Sequence, residues 1–196
     1  MPSTEGSPCT DLLAEGIAVV EITASVSGLS GEAFCGDVAP VRLSVIRLRD
    51  GGTVELRPAA LVRCEMAHTF ARWVRDDLAA ALILGDGTLA RMEIAASYTC
   101  RPRNNVSGAR LSEHGLANAI DLVALVLSGG RRIAVDDNDA PATLLAEMRR
   151  SACARFTTVL GPGSDAAHEH HVHVDLARRR GGYRMCQWNM PNWPLP

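Results

Sequence analysis

Lysine is absent from this 196-residue chain: its twenty basic residues are all arginine, set against twenty-two acids for a formal charge of −2 and a pI near 6.3. No global positive field invites a polyanion, so nucleic-acid binding is not expected. The run Arg178-Arg179-Arg180 reads as solvated surface, the usual fate of a short block of like charge. No stretch reaches the ~18 apolar residues needed to span a bilayer, and the first fifteen residues hold no apolar signal-peptide core. A soluble chain is expected. The six cysteines (Cys9, Cys35, Cys64, Cys100, Cys153 and Cys186) include no Cys-x-x-Cys pair, which argues against a zinc knuckle or dithiol redox motif. Even in number and scattered, they fit up to three disulfides in an oxidising compartment, with buried free thiols in a cytosolic protein as the alternative. The disulfide reading implies an extracytoplasmic location and a leader already removed, and leaves the pairing open. Internal repeats and low-complexity tracts are also absent.

With 47% hydrophobic residues, the chain can bury one substantial core. A single domain over residues 16–196 is expected, behind a flexible lead-in at residues 1–15 that Cys9 could tie down. Ile17 to Thr23 and Val41 to Leu48 are rich in β-branched residues and read as strands, the second turning through Asp50-Gly51-Gly52 into Thr53 to Leu56. Glu65 to Leu84 has no Gly or Pro and spaces Met66, Phe70, Trp73, Leu78 and Leu82 as a helix ending at Gly85. Leu89 to Thr99 reads as a strand entering the loop Cys100 to Asn105. Ala119 to Leu127 is a buried strand by its near-continuous apolar character, joined through Ser128-Gly129-Gly130 to Arg132 to Val135. Asn138 or Asp139 is expected to cap a helix with Pro141 in its first turn and Leu144, Met148, Ala152 and Phe156 on its buried face. These elements make an α+β fold: a small, mostly antiparallel sheet with flanking helices.

Four of the six histidines lie in His168-Glu169-His170-His171-Val172-His173, and His114 stands seven residues before Asp121. Imidazole and carboxylate are the donors expected for catalytic zinc, which takes three protein ligands and leaves a fourth position to water. If Glu169 to Leu176 is a strand, His171, His173 and Asp175 share one face, while His170, Val172 and Val174 share the other. His168 would lean over the site from the preceding loop. On a continuous helix His114 and Asp121 would sit about 10 Å apart along the axis, too far for one ion. Ser112 to Asn118 is therefore expected to turn, with Asp121 near the start of the following strand. Beside Ile120, Leu122 and Val123, the Asp121 carboxylate needs a partner, either a cation or an arginine. His68, alone in its helix, reads as an ordinary helix histidine.

The run Ser112-Glu113-His114-Gly115-Leu116-Ala117-Asn118-Ala119-Ile120-Asp121 is preceded by Ser97-Tyr98-Thr99-Cys100-Arg101 and followed by Leu160-Gly161-Pro162-Gly163-Ser164-Asp165-Ala166-Ala167-His168 and His171-Val172-His173. Together these segments resemble the extensin-like C-terminal domain family of bacteria. That family is similar in its motifs to D-Ala-D-Ala metallopeptidases and lysostaphin-type peptidoglycan hydrolases, which share Ser-x-His, an Asp seven residues on, and a later His-x-His. The resemblance spans most of residues 60 to 190. It implies a zinc-peptidase architecture in which His114, Asp121 and His173 are the zinc ligands. His171 matches the histidine that acts on the attacking water, and His168 a further histidine of murein endopeptidases. Arg101 matches an arginine that holds a substrate carboxylate, and Ser112 a serine that buttresses the site. Ala117 stands where many D-Ala-D-Ala peptidases have Gly, and their Glu-x-Trp-His arrangement with a glutamate base is absent. His171 is therefore the expected base, with Glu113 as an outside candidate.

The implied activity is zinc-dependent hydrolysis of peptide bonds in peptidoglycan stem peptides or cross-links, at a periplasmic or otherwise extracytoplasmic location. Two other readings fit two histidines and a carboxylate: a non-catalytic wall-binding or structural domain retaining its metal, and a mononuclear iron oxygenase. The first would recruit His168 or His171 as a fourth protein ligand. Trp188 and Trp193, in the Pro-rich tail, are expected to pack back on the domain.

Overall fold

The computed structural model describes residues 8–23, 26–30, 33–83, 87–103 and 106–189. Its centre is a nine-stranded sheet, larger than the small sheet expected. The strands are β1 (Ala18–Ile22), β4 (Val41–Arg47), β5 (Thr53–Val62), β6 (Leu89–Ala96), β7 (Ala119–Leu127), β8 (Arg132–Ala134), β9 (Thr158–Leu160), β10 (Val172–Asp175) and β11 (Met185–Gln187). They run in the order β1-β4-β5-β6-β7-β10-β9-β11, with β8 on β7. β5 pairs with β6, and β9 with β11, in parallel; the other neighbours are antiparallel. A separate hairpin joins β2 (Val26–Ser30) to β3 (Ala33–Val38). The class is mixed α+β.

Helices α2 (Cys64–Trp73) and α3 (Ala79–Ile83) are one run joined by a π turn at Val74–Leu78, and α4 (Ala142–Arg155) packs on it. The expected helical spacing is realised: Met66, Phe70, Trp73, Leu78 and Leu82 are all buried. Leu144, Met148 and Ala152 bury the matching face of α4, and Phe156, expected on that face, is the extended residue that ends the helix and is buried as well. Pro141 itself occupies the position before α4, rather than its first turn, and no side chain caps the helix. Asp137 instead holds Asp139 N in the preceding turn, at 2.9 Å. The Phe70, Trp73 and Phe156 rings meet at 5.4 to 6.4 Å between centroids. The Trp73 indole N–H donates to Ser151 Oγ at 3.0 Å, satisfying a polar group that the core would otherwise strand.

Pro8–Glu15, expected within the lead-in, forms helix α1, with Leu12 fully buried. The expectations for residues 1–7, Gly85, Asn104-Asn105 and Trp193 lie outside the described residues. Disulfides join Cys9 to Cys64, Cys35 to Cys100 and Cys153 to Cys186. They tie α1 to α2, β3 to the loop before Arg101, and α4 to β11. Each closes a loop of tens of residues, a constraint that typically stabilises by about 2–4 kcal/mol. Three disulfides are compatible with an extracytoplasmic protein, and no helix among the described residues is long and apolar enough to cross a membrane. Trp188 is buried against Gly161, where a Cβ would come within 2.6 Å of the indole.

Even-numbered residues of β7 and β10 (Ile120, Leu122, Val172, Val174) belong to the same apolar core as Phe70 and Trp73. Odd-numbered Asp121, His173 and Asp175 line a cleft instead. Strand alternation thus separates core from site within single strands.

Phe156→Ala should lower the unfolding free energy by about 3–5 kcal/mol in urea titrations, the range for emptying a buried aromatic site. A loss below about 1 kcal/mol would mean the three rings are not the packing centre of the helical layer.

Candidate functional site

β7 and β10 lie antiparallel with His173 directly opposite Asp121. A cross-strand pair shares a sheet face and holds its Cβ atoms about 5 Å apart, so register alone brings these side chains together. His173 Nδ1 is 2.8 Å from Asp121 Oδ1. Both residues are buried.

His114 arrives by a different device. Glu113–Leu116 is a single 3-10 turn closed by Ala117 in the left-handed region, at φ 52°. This reverses the chain before β7 and folds His114 back over Asp121, as the seven-residue spacing required. His114 Nε2 is 3.2 Å from Asp121 Oδ2 and 3.2 Å from His173 Nδ1. Ser112 Oγ accepts from His114 N, capping the turn. Ala117 O accepts from Arg63 N at 2.7 Å, and Leu116 O from Arg63 Nε at 2.9 Å. Gly115 is required for a steric reason: a Cβ there would meet the Leu111 side chain at 2.7 Å and Cys35 Sγ at 3.3 Å. Arg63 is thus a strap on the turn that sequence reasoning missed.

The outer nitrogens of the two rings fix their tautomers. His114 Nδ1 lies 2.7 Å from Ser97 O, which can only accept, so Nδ1 carries the proton and Nε2 turns its lone pair inward. His173 Nε2 lies 3.0 Å from Asp175 Oδ2, so Nε2 donates there and Nδ1 faces the site. Two imidazole nitrogens and a carboxylate therefore converge, with all three acceptors aimed at one point. Such a set needs a positive charge between its members, either a proton or a metal ion. The 3.2 Å between the two ring nitrogens compares with about 3.3 Å for an edge of a tetrahedron with bonds of ~2.0–2.1 Å, while the carboxylate meets His173 through Oδ1 at 2.8 Å and His114 through Oδ2 at 3.2 Å. The three residues form a buried group that could hold a metal ion.

Without a metal, the charge is a proton. Burial alone would raise the Asp121 carboxyl, but hydrogen bonds and charge from His114 and His173 outweigh it and hold Asp121 far below the usual range. Burial likewise disfavours charge on His173, yet its bonds to Asp121 and Asp175 raise it to about 9. Burial would raise Asp175, but the hydrogen bond and charge of His173, with hydrogen bonds from Thr158 and the Ala177 backbone, together lower it. Asp175 shares the expected strand face, and its part as the outer partner of His173 could have been read from that alternation.

The cleft around this group has a volume of about 520 Å³. His171 lies just before β10 with Nε2 3.7 Å from Asp121 Oδ2, and is only partly buried. The expected strand Glu169 to Leu176 is shorter, because pairing with β7 begins at Val172. Burial lowers the His171 pKa and the surrounding histidines add to this, overriding the pull of Asp121, so its ring is neutral at pH 7. His168 ends a short 3-10 turn capped by Asp165, whose Oδ1 is 2.6 Å from His168 Nδ1. Its ring centroid lies 5.2 Å from that of His171 and 5.7 Å from that of His173. Arg101 and Ser112 line the same cleft. Glu113 does too, but its carboxylate accepts from Asn118 Nδ2 at 2.7 Å and pairs with Arg103 at 3.8 Å. His170 points away and pairs with Asp136 at 2.7 Å, and His68 pairs with Glu15 at 3.3 Å. Both stand apart from the site, as expected.

Neither the comparison with curated proteins nor that with solved structures gives a match. The family described as extensin-like protein C-terminus matches residues 7–187, which include every residue of the cleft. With nearly its whole length matched, the chain belongs to the extensin-like protein C-terminus family.

Proposed function

We propose that this protein is a zinc-dependent peptidase acting on the D-amino-acid-containing stem peptides or cross-links of peptidoglycan, in the periplasm or another extracytoplasmic space. The observation that carries this reading is the convergence of His114 Nε2, His173 Nδ1 and the Asp121 carboxylate, with both tautomers fixed from outside. Three protein ligands with an open side are the arrangement of catalytic zinc sites. The zinc-peptidase architecture implied by the motif resemblance is part of the same proposal. Zinc in this position supplies Lewis-acid activation of water and of a substrate carbonyl.

The remaining roles fall to side chains around the cleft. Neutral His171 accepts a proton from the attacking water, a task its lowered pKa permits at pH 7. His168, held by Asp165 through Nδ1, lines the cleft and in its doubly protonated form offers an Nε2–H donor to charge developing on the scissile carbonyl oxygen. Arg101 receives a substrate carboxylate in a planar fork that an ammonium cannot reproduce. Ser112 acts through the 3-10 turn by holding His114 in place. A structural metal is the second reading, favoured by the 3.7 Å approach of His171 Nε2 to Asp121, which brings a fourth protein donor near the ion.

Mass spectrometry of muropeptides incubated with zinc-loaded protein tests the activity. Dimers converting to monomers identify an endopeptidase, and loss of a terminal D-Ala a carboxypeptidase; an unchanged profile would overturn the peptidase reading. In the same assay His173→Ala should lose stoichiometric zinc, whereas His171→Ala should keep it and lose turnover by about 10²-fold or more. Zinc lost from both variants favours the structural reading.

Zinc must displace the His173 proton, whose pKa is raised to about 9 in the metal-free chain. Calorimetry at pH 7 in buffers of different ionisation enthalpy should therefore report about one proton released per zinc. Affinity should rise about tenfold per pH unit towards 9 and then level off. A flat affinity between pH 7 and 9 would exclude His173 as a ligand that is protonated before zinc binds.

A further inference from the structure

The metal cleft continues into a second depression of about 620 Å³, lined by Arg103, Arg110, Glu113, Arg178, Arg179 and Arg180 together with Ala177. Arg103, Glu113 and Arg179 belong to both hollows, so the two are one channel with a basic extension. Five guanidinium groups face one carboxylate there, on a chain whose overall charge is −2.

Two separate walls carry this charge. One is made by residues 101–103 and 110–112, paired by Ser112 N to Arg101 O at 3.1 Å and Arg103 N to Arg110 O at 2.9 Å. It is anchored at its base by the Cys35–Cys100 disulfide. Arg101 and Arg103 flank Pro102, which bridges Leu111, and both line the cleft. The other wall is the segment after β10. Arg179, expected as solvated surface, is instead half-buried and fixed: its guanidinium donates to Thr157 O at 3.1 Å and Thr158 Oγ1 at 2.6 Å. Arg178 and Arg180 are exposed, Arg178 making a loose pair with Glu65 at 3.7 Å.

We propose that this groove is a second binding site, taking an extended acidic peptide whose free carboxylates are spaced along the arginine row running out from Arg101. This rests on the peptidase reading for the placement of a peptide in the adjoining cleft. A carboxylate matches the two-pronged guanidinium fork, and an extended chain presents alternate side chains to one wall about every 7 Å, so several carboxylates of one peptide can meet the arginines of the groove. The net charge of −2 on the whole chain disfavours a long polyanion. The substrate class so named is a stem peptide with at least two unblocked carboxylates, and amidated stems are disfavoured.

Calorimetry with N-acetyl-triglutamyl amide and N-acetyl-triglutaminyl amide, L-peptides blocked at both ends, tests the groove without turnover. The acidic peptide should bind and the neutral one should not. Arg110→Gln combined with Arg180→Gln, one exposed residue from each wall, should weaken the acidic peptide about tenfold or more while leaving the melting temperature unchanged. Equal binding of the two peptides, or unaltered affinity in the double variant, would overturn the proposal. So would tighter, variant-sensitive binding of inorganic triphosphate or phosphatidylglycerol vesicles, which would make phosphate the ligand. If triglutamate binds as expected while muropeptides stay uncut, the peptidase reading fails and the groove stands. Cleavage without triglutamate binding has the reverse meaning.

Discussion

A buried carboxylate facing a buried imidazole across two strands is the constraint around which this molecule is arranged. Asp121 and His173 are direct partners in the β7–β10 ladder, and both are removed from water. Isolated charges in such a place are prohibitive, so each is held by further groups: Asp175 behind His173 and His114 across from Asp121. A one-residue slip of β10 would turn His173 into the apolar core and Val172 or Val174 into the cleft. The apolar packing of Ile120, Leu122, Val172 and Val174 therefore sets the position of the polar set on the opposite face.

Environment separates the histidines by their hold on a proton. His173 is raised to about 9 by two carboxylates despite its burial, whereas His171, two residues away, is lowered by burial and by its histidine neighbours. Groups of one type pushed in opposite directions are the usual mark of divided acid, base and ligand roles. The protonated His173 ring lies between two ionised carboxylates, Asp121 and Asp175, so the group as it stands keeps a net negative charge.

Much of this was legible in the chain, and the rest was not for identifiable reasons. Ala119–Leu127 has the expected bounds because a long apolar run between turn residues has few other readings. The turn at Ser112 to Asn118 followed from reach alone, since no straight helix could bring His114 to Asp121. The strand face holding His171, His173 and Asp175 came from alternation, although only Val172–Asp175 is paired. Strands β9 and β11 went unseen because three residues carry no period. Arg63 was invisible because its contacts to Leu116 and Ala117 lie some fifty residues away in sequence. Arg179 was misjudged for a related reason: a run of arginines does not reveal that one member is pinned by Thr157 and Thr158. Local pattern reports elements, while straps and anchors are properties of the folded contact set.

The central claim is that one ion sits among His114, Asp121 and His173 with a position left for solvent. X-ray absorption at the zinc edge of the zinc-loaded protein in solution addresses it directly. The account predicts two imidazole nitrogens and two oxygens at about 2.0–2.1 Å, with one oxygen exchangeable for a small anion. A shell with three or more imidazoles and no exchangeable ligand, or with sulfur, would contradict it.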